Sequence, residues 1–196
     1  MTSTLSSRSL LVCVCGGIAA YKVADLVSKL AQAKASVTVA MTDEAQKFVG
    51  PATFRALSAN TVYTDLWDHL EGMDPQHIRL AQTADLVVVA PCTANTLAKM
   101  AHGLADDLVS TILLATDPRK VLIAPAMNEA MWNHPATQRN ATTVFDDGVQ
   151  FVGPGAGWQA CRTVGVGRMS EPAEILAAIE QRLTASTEST PPHFTP

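Results

Sequence analysis

The stretch VLIAPAMNEAMW, residues 121–132, decides how the rest of the chain is read. Val121-Leu122-Ile123 is a short apolar, β-branched run of the kind that forms a strand buried on both faces. Pro125 then interrupts the pattern, Ala126 keeps the backbone uncrowded, and Asn128 stands where a helix over 129–140 is expected to begin. A strand that ends on small residues and hands over one Asn before a helix fits an open parallel sheet. In such sheets ligands gather beyond the carboxyl ends of the strands. Asn128 has a donor and an acceptor to offer a carboxylate or an amide, and it can equally cap the helix. Both readings stand at this point.

The same design recurs upstream. A strand over 86–90 runs into Pro91-Cys92-Thr93-Ala94-Asn95-Thr96, which brings hydroxyls and an amide to another helix start. Two strand ends of matching chemistry, APCTAN and APAMN, suggest one ligand touching both. A first strand over 10–15 stops at Gly16-Gly17 before a helix over 18–33. Exposed N–H groups and the helix dipole there suit an anion. The motif is not a complete GxGxxG, however, and a tight turn that needs Gly for positive φ explains the pair equally well. A second strand over 36–41 delivers Thr42, an expected N-cap, to a helix through Phe48. Pro51 restarts a helix to Ser58, short strands follow at 61–64 and 149–152, and a last helix spans 172–183. Strands alternating with helices predict an α/β chain: a three-layer sandwich around a six-stranded parallel sheet.

Composition agrees. At 196 residues the chain is sized for one core. It is 47% hydrophobic but only 5% aromatic, which favours a Val-, Leu- and Ala-rich parallel sheet over an aromatic-rich sandwich. The net charge of −4, without a Lys/Arg cluster, argues against nucleic acid and anionic membranes as partners. Cys13, Cys15, Cys92 and Cys161 form no CxxC pair and have no His at metal-ligand spacing, so no metal site is expected. Free thiols fit a reducing cytoplasm. The run Leu10–Ala20 behind Arg8 has the look of a signal sequence, but Gly16-Gly17 interrupts it and it is too short to span a bilayer.

The expected organisation is a flexible arm over 1–8, a single domain over 9–183 and a disordered tail over 184–196. Residues 65–75 read as a loop. His77 follows at a loop-to-helix boundary, where it is either structural or catalytic. Asp106-Asp107 suits a helix N-terminus. The glycine-rich stretch GPGAGWQACRTVGVGRM, 153–169, reads as a mobile flap without regular structure. Cys161 in its middle is a candidate acid or nucleophile over the crevice, or an incidental free thiol.

Taken together, CGGIAAYK at 15–22, HI at 77–78, APCTANTLAK at 90–99, PAMNEAMW at 125–132 and ACRTVGVGRM at 160–169 resemble the flavin-containing cysteine decarboxylases. The likeness runs from about residue 10 to 183, with order and spacing kept. It implies FMN as cofactor, a Rossmann-like sheet of order 3-2-1-4-5-6, and a homotrimer with the flavin between subunits, which some members gather into a dodecamer. It also implies a carbon–carbon lyase that converts 4′-phosphopantothenoylcysteine to 4′-phosphopantetheine in coenzyme A biosynthesis. The partner ligase is then expected on a separate chain. By the same resemblance, FMN would contact Cys15, Gly16 and Gly17, then Thr42 and Glu44, then Thr93, Ala94, Asn95 and Thr96, and finally Ala126. His77 would be the base, Asn128 the ligand of the substrate carboxylate and Cys161 a late proton donor. Trp158, Gln159 and Ala160 would close on the substrate.

The implied chemistry explains the residue types. A cysteine carboxylate cannot leave as CO2 until the resulting electron pair has a sink, and oxidation of the thiol to a thioaldehyde creates one. The cofactor supplies the redox chemistry, and the protein supplies geometry and protons. An uncharged Asn orients the carboxylate without stabilising it against departure. One departure from the family is Arg162-Thr163 after the Cys, where members commonly carry Gly-Asp. Arg162 is expected to meet a substrate phosphate if it points inward. Three rivals remain. An oxidative decarboxylase of C-terminal peptidyl-cysteine would not need Cys161. A flavin prenyltransferase would carry a Ser- and Lys-rich signature. A non-catalytic flavoprotein regulator would have an acidic tail, and only Glu188 is acidic in this one.

Overall fold

The computed structural model describes residues 4–67 and 75–188. In chain order the elements begin with β1 (Ser9–Val14), α1 (Ala20–Gln32), β2 (Ser36–Met41), α2 (Asp43–Gln46), α3 (Pro51–Ser58) and β3 (Val62–Tyr63). Next come α4 (Gln76–Thr83), β4 (Leu86–Cys92), α5 (Ala94–His102), α6 (Leu108–Leu114) and β5 (Val121–Pro125). The chain continues through α7 (Glu129–Trp132), α8 (Pro135–Asp146), β6 (Gln150–Phe151), β7 (Gly155–Trp158), β8 (Val164–Arg168) and α9 (Pro172–Glu188).

Strands β1 to β6 form one parallel sheet in the order β3-β2-β1-β4-β5-β6, as expected. Its strands are apolar on both faces because helices cover both. Leu10, Val12 and Val14 of β1 point into one core with Val23, Leu26 and Leu30 of α1, Phe54 of α3 and Ile175 and Ile179 of α9. Leu11 and Cys13 alternate to the other face, against Leu97, Leu108, Ile112 and Val144 from α5, α6 and α8. No helix among the described residues is long and apolar enough to cross a membrane.

Several local expectations need correction. The helix expected over 129–140 is two helices. Pro135 has no N–H to continue the first ladder, and it opens α8 at its first position, with His134 Nδ1 accepting from the Ala136 N–H. Pro91 lies inside β4, and Pro125 is the last residue of β5 rather than the first beyond it. β4 and β5 run on to a Cys92–Pro125 pairing, across a register shift that absorbs the missing donors. The stretch expected as a structureless flap is an antiparallel hairpin, β7 paired with β8. Of the expected arm, residues 4–8 fold back, with Leu5 fully buried and the Ser7 N–H bonded to the Lys34 carbonyl. α9 continues five residues past the expected end of the domain. Residues 68–74 of the expected loop and 189–196 of the expected tail lie outside the described residues.

Candidate active site

From β1 the chain builds outward through β2 to β3, then returns to place β4 on the other side of β1. The crevice at this reversal is where open α/β sheets hold ligands. A cavity of about 550 Å³ lies there, a size suited to a cofactor or small substrate. Gly16 and Gly17 reach it from the end of β1, Thr93 and Ala94 from β4, Ala126 and Asn128 from β5. The turn of the hairpin adds Trp158, Gln159, Ala160 and Cys161. The strand ends singled out in the sequence therefore do converge on one site.

The two glycines serve different ends. Neither has positive φ, so the tight-turn explanation fails. A Cβ on Gly16 would overlap the Glu44 side chain, so this glycine is required by the packing of α2 against β1. A Cβ on Gly17 would meet Pro91 and Thr93 at ordinary contact distance, 3.7 Å. Gly17 thus leaves room in the cleft between the β1 and β4 ends. Helix α1 begins without a side-chain cap, and Gly17, Ile18 and Ala19 leading into it all line the cavity. Uncapped N–H groups and small residues suit an anionic group and a planar ring.

Thr93 caps α5: its Oγ1 accepts from the Thr96 N–H at 3.2 Å and lies 3.1 Å from Thr96 Oγ1. Thr42 caps α2 in the same way, accepting from the Ala45 N–H at 3.2 Å. Asn128 answers the ambiguity of its sequence position by capping α7. Its Oδ1 accepts from the Met131 N–H at 2.8 Å, which fixes the side chain and leaves the amide hydrogens for another partner. Cys15 is buried, and burial pushes its thiol up to about 12, so it is a neutral side chain facing the core. Burial likewise raises Cys13 and Cys92. Cys161 is the exposed cysteine of the four.

Cys15, Thr42, Glu44, Asn95 and Thr96 do not line the cavity, and neither does His77 within one chain. His77 sits in the first turn of α4. That helix is tied to the β3 side of the sheet by Gln76 Nε2 donating to the Asp65 carbonyl and Arg79 Nη2 donating to the Tyr63 hydroxyl. Arg162, at the hairpin tip with φ 65°, also stays off the wall.

Sequence reasoning missed the site's charged lining, Lys22 and Arg168. Both pair with Glu171 Oε1, Lys22 at 2.8 Å. The Lys22 ammonium, with Arg168 assisting, holds the Glu171 carboxyl below the usual carboxylate range. This triad ties the base of the hairpin and the start of α9 to α1. Both cations lie inside motifs quoted above, CGGIAAYK and ACRTVGVGRM, but nothing local shows that they share a carboxylate. The site's rim is apolar and open: Ile18, Tyr21, Met131 and Trp158 line the cavity and remain 49–62% exposed.

Comparisons with known proteins agree with this architecture. A family model described as Flavoprotein matches residues 1–184. The chain is 47% identical over 186 residues to the coenzyme A biosynthesis bifunctional protein CoaBC of Bacillus subtilis strain 168, covering 94% of this chain and 45% of that protein. It therefore spans less than half the length of this relative. Among solved structures, the FMN-dependent cysteine decarboxylase SpaF superposes with a TM-score of 0.80 at 33% identity, over 94% of this chain and 99% of that one. A PPC decarboxylase mutant complexed with pantothenoylaminoethenethiol superposes with a TM-score of 0.79 at 30% identity, over 93% and 100%.

Proposed function

Because this chain belongs to the flavoprotein family of FMN-dependent cysteine decarboxylases, we propose that it converts 4′-phosphopantothenoylcysteine to 4′-phosphopantetheine with FMN as cofactor. The observation that carries this reading is the shared cavity. A cleft kept open by Gly17, an Asn with free amide hydrogens and an exposed cysteine all border the same space. A flavin fits the cleft chemically: small residues at 16, 17, 94 and 126 admit a planar ring, and the uncapped start of α1 admits its phosphate.

When bound, FMN would accept a hydride from the sulfur-bearing carbon of the substrate and later return it. The residues of the chain divide the remaining work. His77 takes the thiol proton as that carbon is oxidised. Asn128, held by its cap bond, directs its amide hydrogens at the carboxylate and sets the bond to CO2 across the plane of the thiocarbonyl. The hairpin bearing Trp158, Gln159 and Ala160 covers the substrate and excludes water. Cys161 then gives a proton to the carbon that has lost CO2, so that the product leaves as a saturated thiol rather than an enethiol. Lys22 and Arg168 give the wall a positive charge suited to a substrate that carries both a carboxylate and a phosphate.

His77 lies off the cavity of its own chain, and the rim is apolar and exposed. Both features support a homotrimer in which a neighbouring subunit brings His77 to the flavin. The bacterial relative is named as a bifunctional protein, and we place the decarboxylation in the cytoplasm. The test is substrate choice. The purified protein should release CO2 from 4′-phosphopantothenoylcysteine and leave a peptide ending in cysteine untouched. The opposite preference would assign it to peptide maturation.

A further inference from the structure

The hairpin turn carries a hydrogen-bond arrangement around Cys161 that the reading above does not use. Cys161 Sγ stands 3.5 Å from Gln159 Oε1 and 3.0 Å from Thr163 Oγ1. Gln159 is almost fully buried and held on both sides: its Nε2 donates to the Val166 carbonyl at 3.1 Å, and its Oε1 accepts from the Glu129 N–H at 3.2 Å. A thiol has a single proton. With that proton directed at the Gln159 oxygen, the Thr163 hydroxyl is the donor to sulfur. The turn backbone fixes the pair, because the Gln159 N–H bonds to the Thr163 carbonyl and the Arg162 N–H to the Gln159 carbonyl, both at 2.9 Å. The sulfur therefore sits between a rigid acceptor for its proton and a donor aimed at its lone pair.

We propose that Thr163 is a positioning residue for the proton transfer from Cys161. The inference rests on the proposed decarboxylation and deepens it. FMN, when bound, would supply the hydride that the sulfur-bearing carbon of the decarboxylated intermediate takes up in the last step. The Cys161 S–H bond breaks, its proton bonds to the carbon that has lost CO2, and the electron pair stays on sulfur as a thiolate. The Thr163 O–H stabilises that pair as it forms, since hydrogen bonds to ionised acceptors are stronger than those to neutral ones. Solvent at the exposed turn then restores the proton. Charge grows on sulfur only as the proton leaves, so the bond acts chiefly on this transfer.

The test compares wild type with Thr163→Val, Thr163→Ala and Thr163→Ser on 4′-phosphopantothenoylcysteine, with products resolved by mass. The ratio of saturated thiol to enethiol reads the last step directly, independent of total turnover. Losing one hydrogen bond to a forming charge should shift that ratio toward the enethiol by about tenfold in the Val and Ala variants, and Ser should restore it. A second readout needs no substrate. Iodoacetamide captures the thiolate, so Cys161 alkylation at neutral pH should slow several-fold in Val and Ala and recover in Ser. Wild-type ratios and alkylation rates in both variants that lack the hydroxyl would overturn the assignment. A wild type that makes no saturated thiol refutes the proposed synthesis of 4′-phosphopantetheine, and with it any proton transfer for Thr163 to position, whereas a wild type that makes it alongside unchanged Val and Ala variants refutes the Thr163 assignment alone.

Discussion

At the residue scale, Asn128 was fully visible as a position and undecidable as a role. Its cap bond to the Met131 N–H and its place on the cavity wall make the two readings compatible. Asp caps helices about as well as Asn. Asn128→Asp should therefore keep the denaturation midpoint within the equivalent of about 0.5 kcal/mol. It should still lower kcat/KM by about tenfold or more, because a carboxylate would face a carboxylate. Equal losses of stability and turnover would make Asn128 a cap alone. The cysteines separate just as clearly. Burial keeps Cys13, Cys15 and Cys92 neutral and enclosed, whereas Cys161 is exposed. Iodoacetamide at about pH 8 should add one label to the native protein, and none to Cys161→Ser.

At the scale of elements, the alternation of strands and helices was legible because apolar runs and turn residues are local signals. The hairpin was not. Its glycines read as punctuation, but they are contact positions. A Cβ on Gly165 would run into the Glu129 carboxylate, and one on Gly167, at φ 131°, would overlap the Met127 carbonyl oxygen. Those neighbours are about forty residues away in sequence, so no local pattern announces them. The glycines at the start of the chain make opposite predictions. Gly16→Ala should cost about 1–3 kcal/mol in a denaturant titration, because Glu44 must move. Gly17→Ala should fold normally and lose flavin, read as the yellow absorbance of the purified protein. The Lys22–Glu171–Arg168 triad is a further contact between distant segments that the sequence does not reveal. Glu171 is depressed below its unfolded value, so its contribution is full above about pH 4.3. It is lost as pH falls through the folded value. Glu171→Gln should cost less than about 1 kcal/mol near neutral pH, Glu171 being half exposed. That difference should vanish on acidification.

At the scale of the molecule, the sheet order places three strand ends and a hairpin around one cavity, but one chain leaves that cavity without His77 and with an apolar rim. The HI motif could be recognised in the sequence, whereas its distance from the cavity is a property of the folded chain. Subunit complementation follows. His77→Asn and Cys161→Ser, each defective alone, should on co-assembly regain roughly a quarter of the sites in a ring where each site draws its two residues from neighbouring subunits. No recovery would place both residues in the same subunit's site, and a fully active His77→Asn variant would remove His77 from the reaction.

Whether this chain makes 4′-phosphopantetheine, with Cys161 as proton donor, is read from the mass of the product formed from 4′-phosphopantothenoylcysteine by the wild type and by Cys161→Ser. The wild type should give 4′-phosphopantetheine, and the variant a decarboxylated species two hydrogens lighter, the enethiol. Enethiol from both proteins would make Cys161 incidental and the enzyme an oxidative decarboxylase, and an unchanged substrate would contradict the assigned reaction itself.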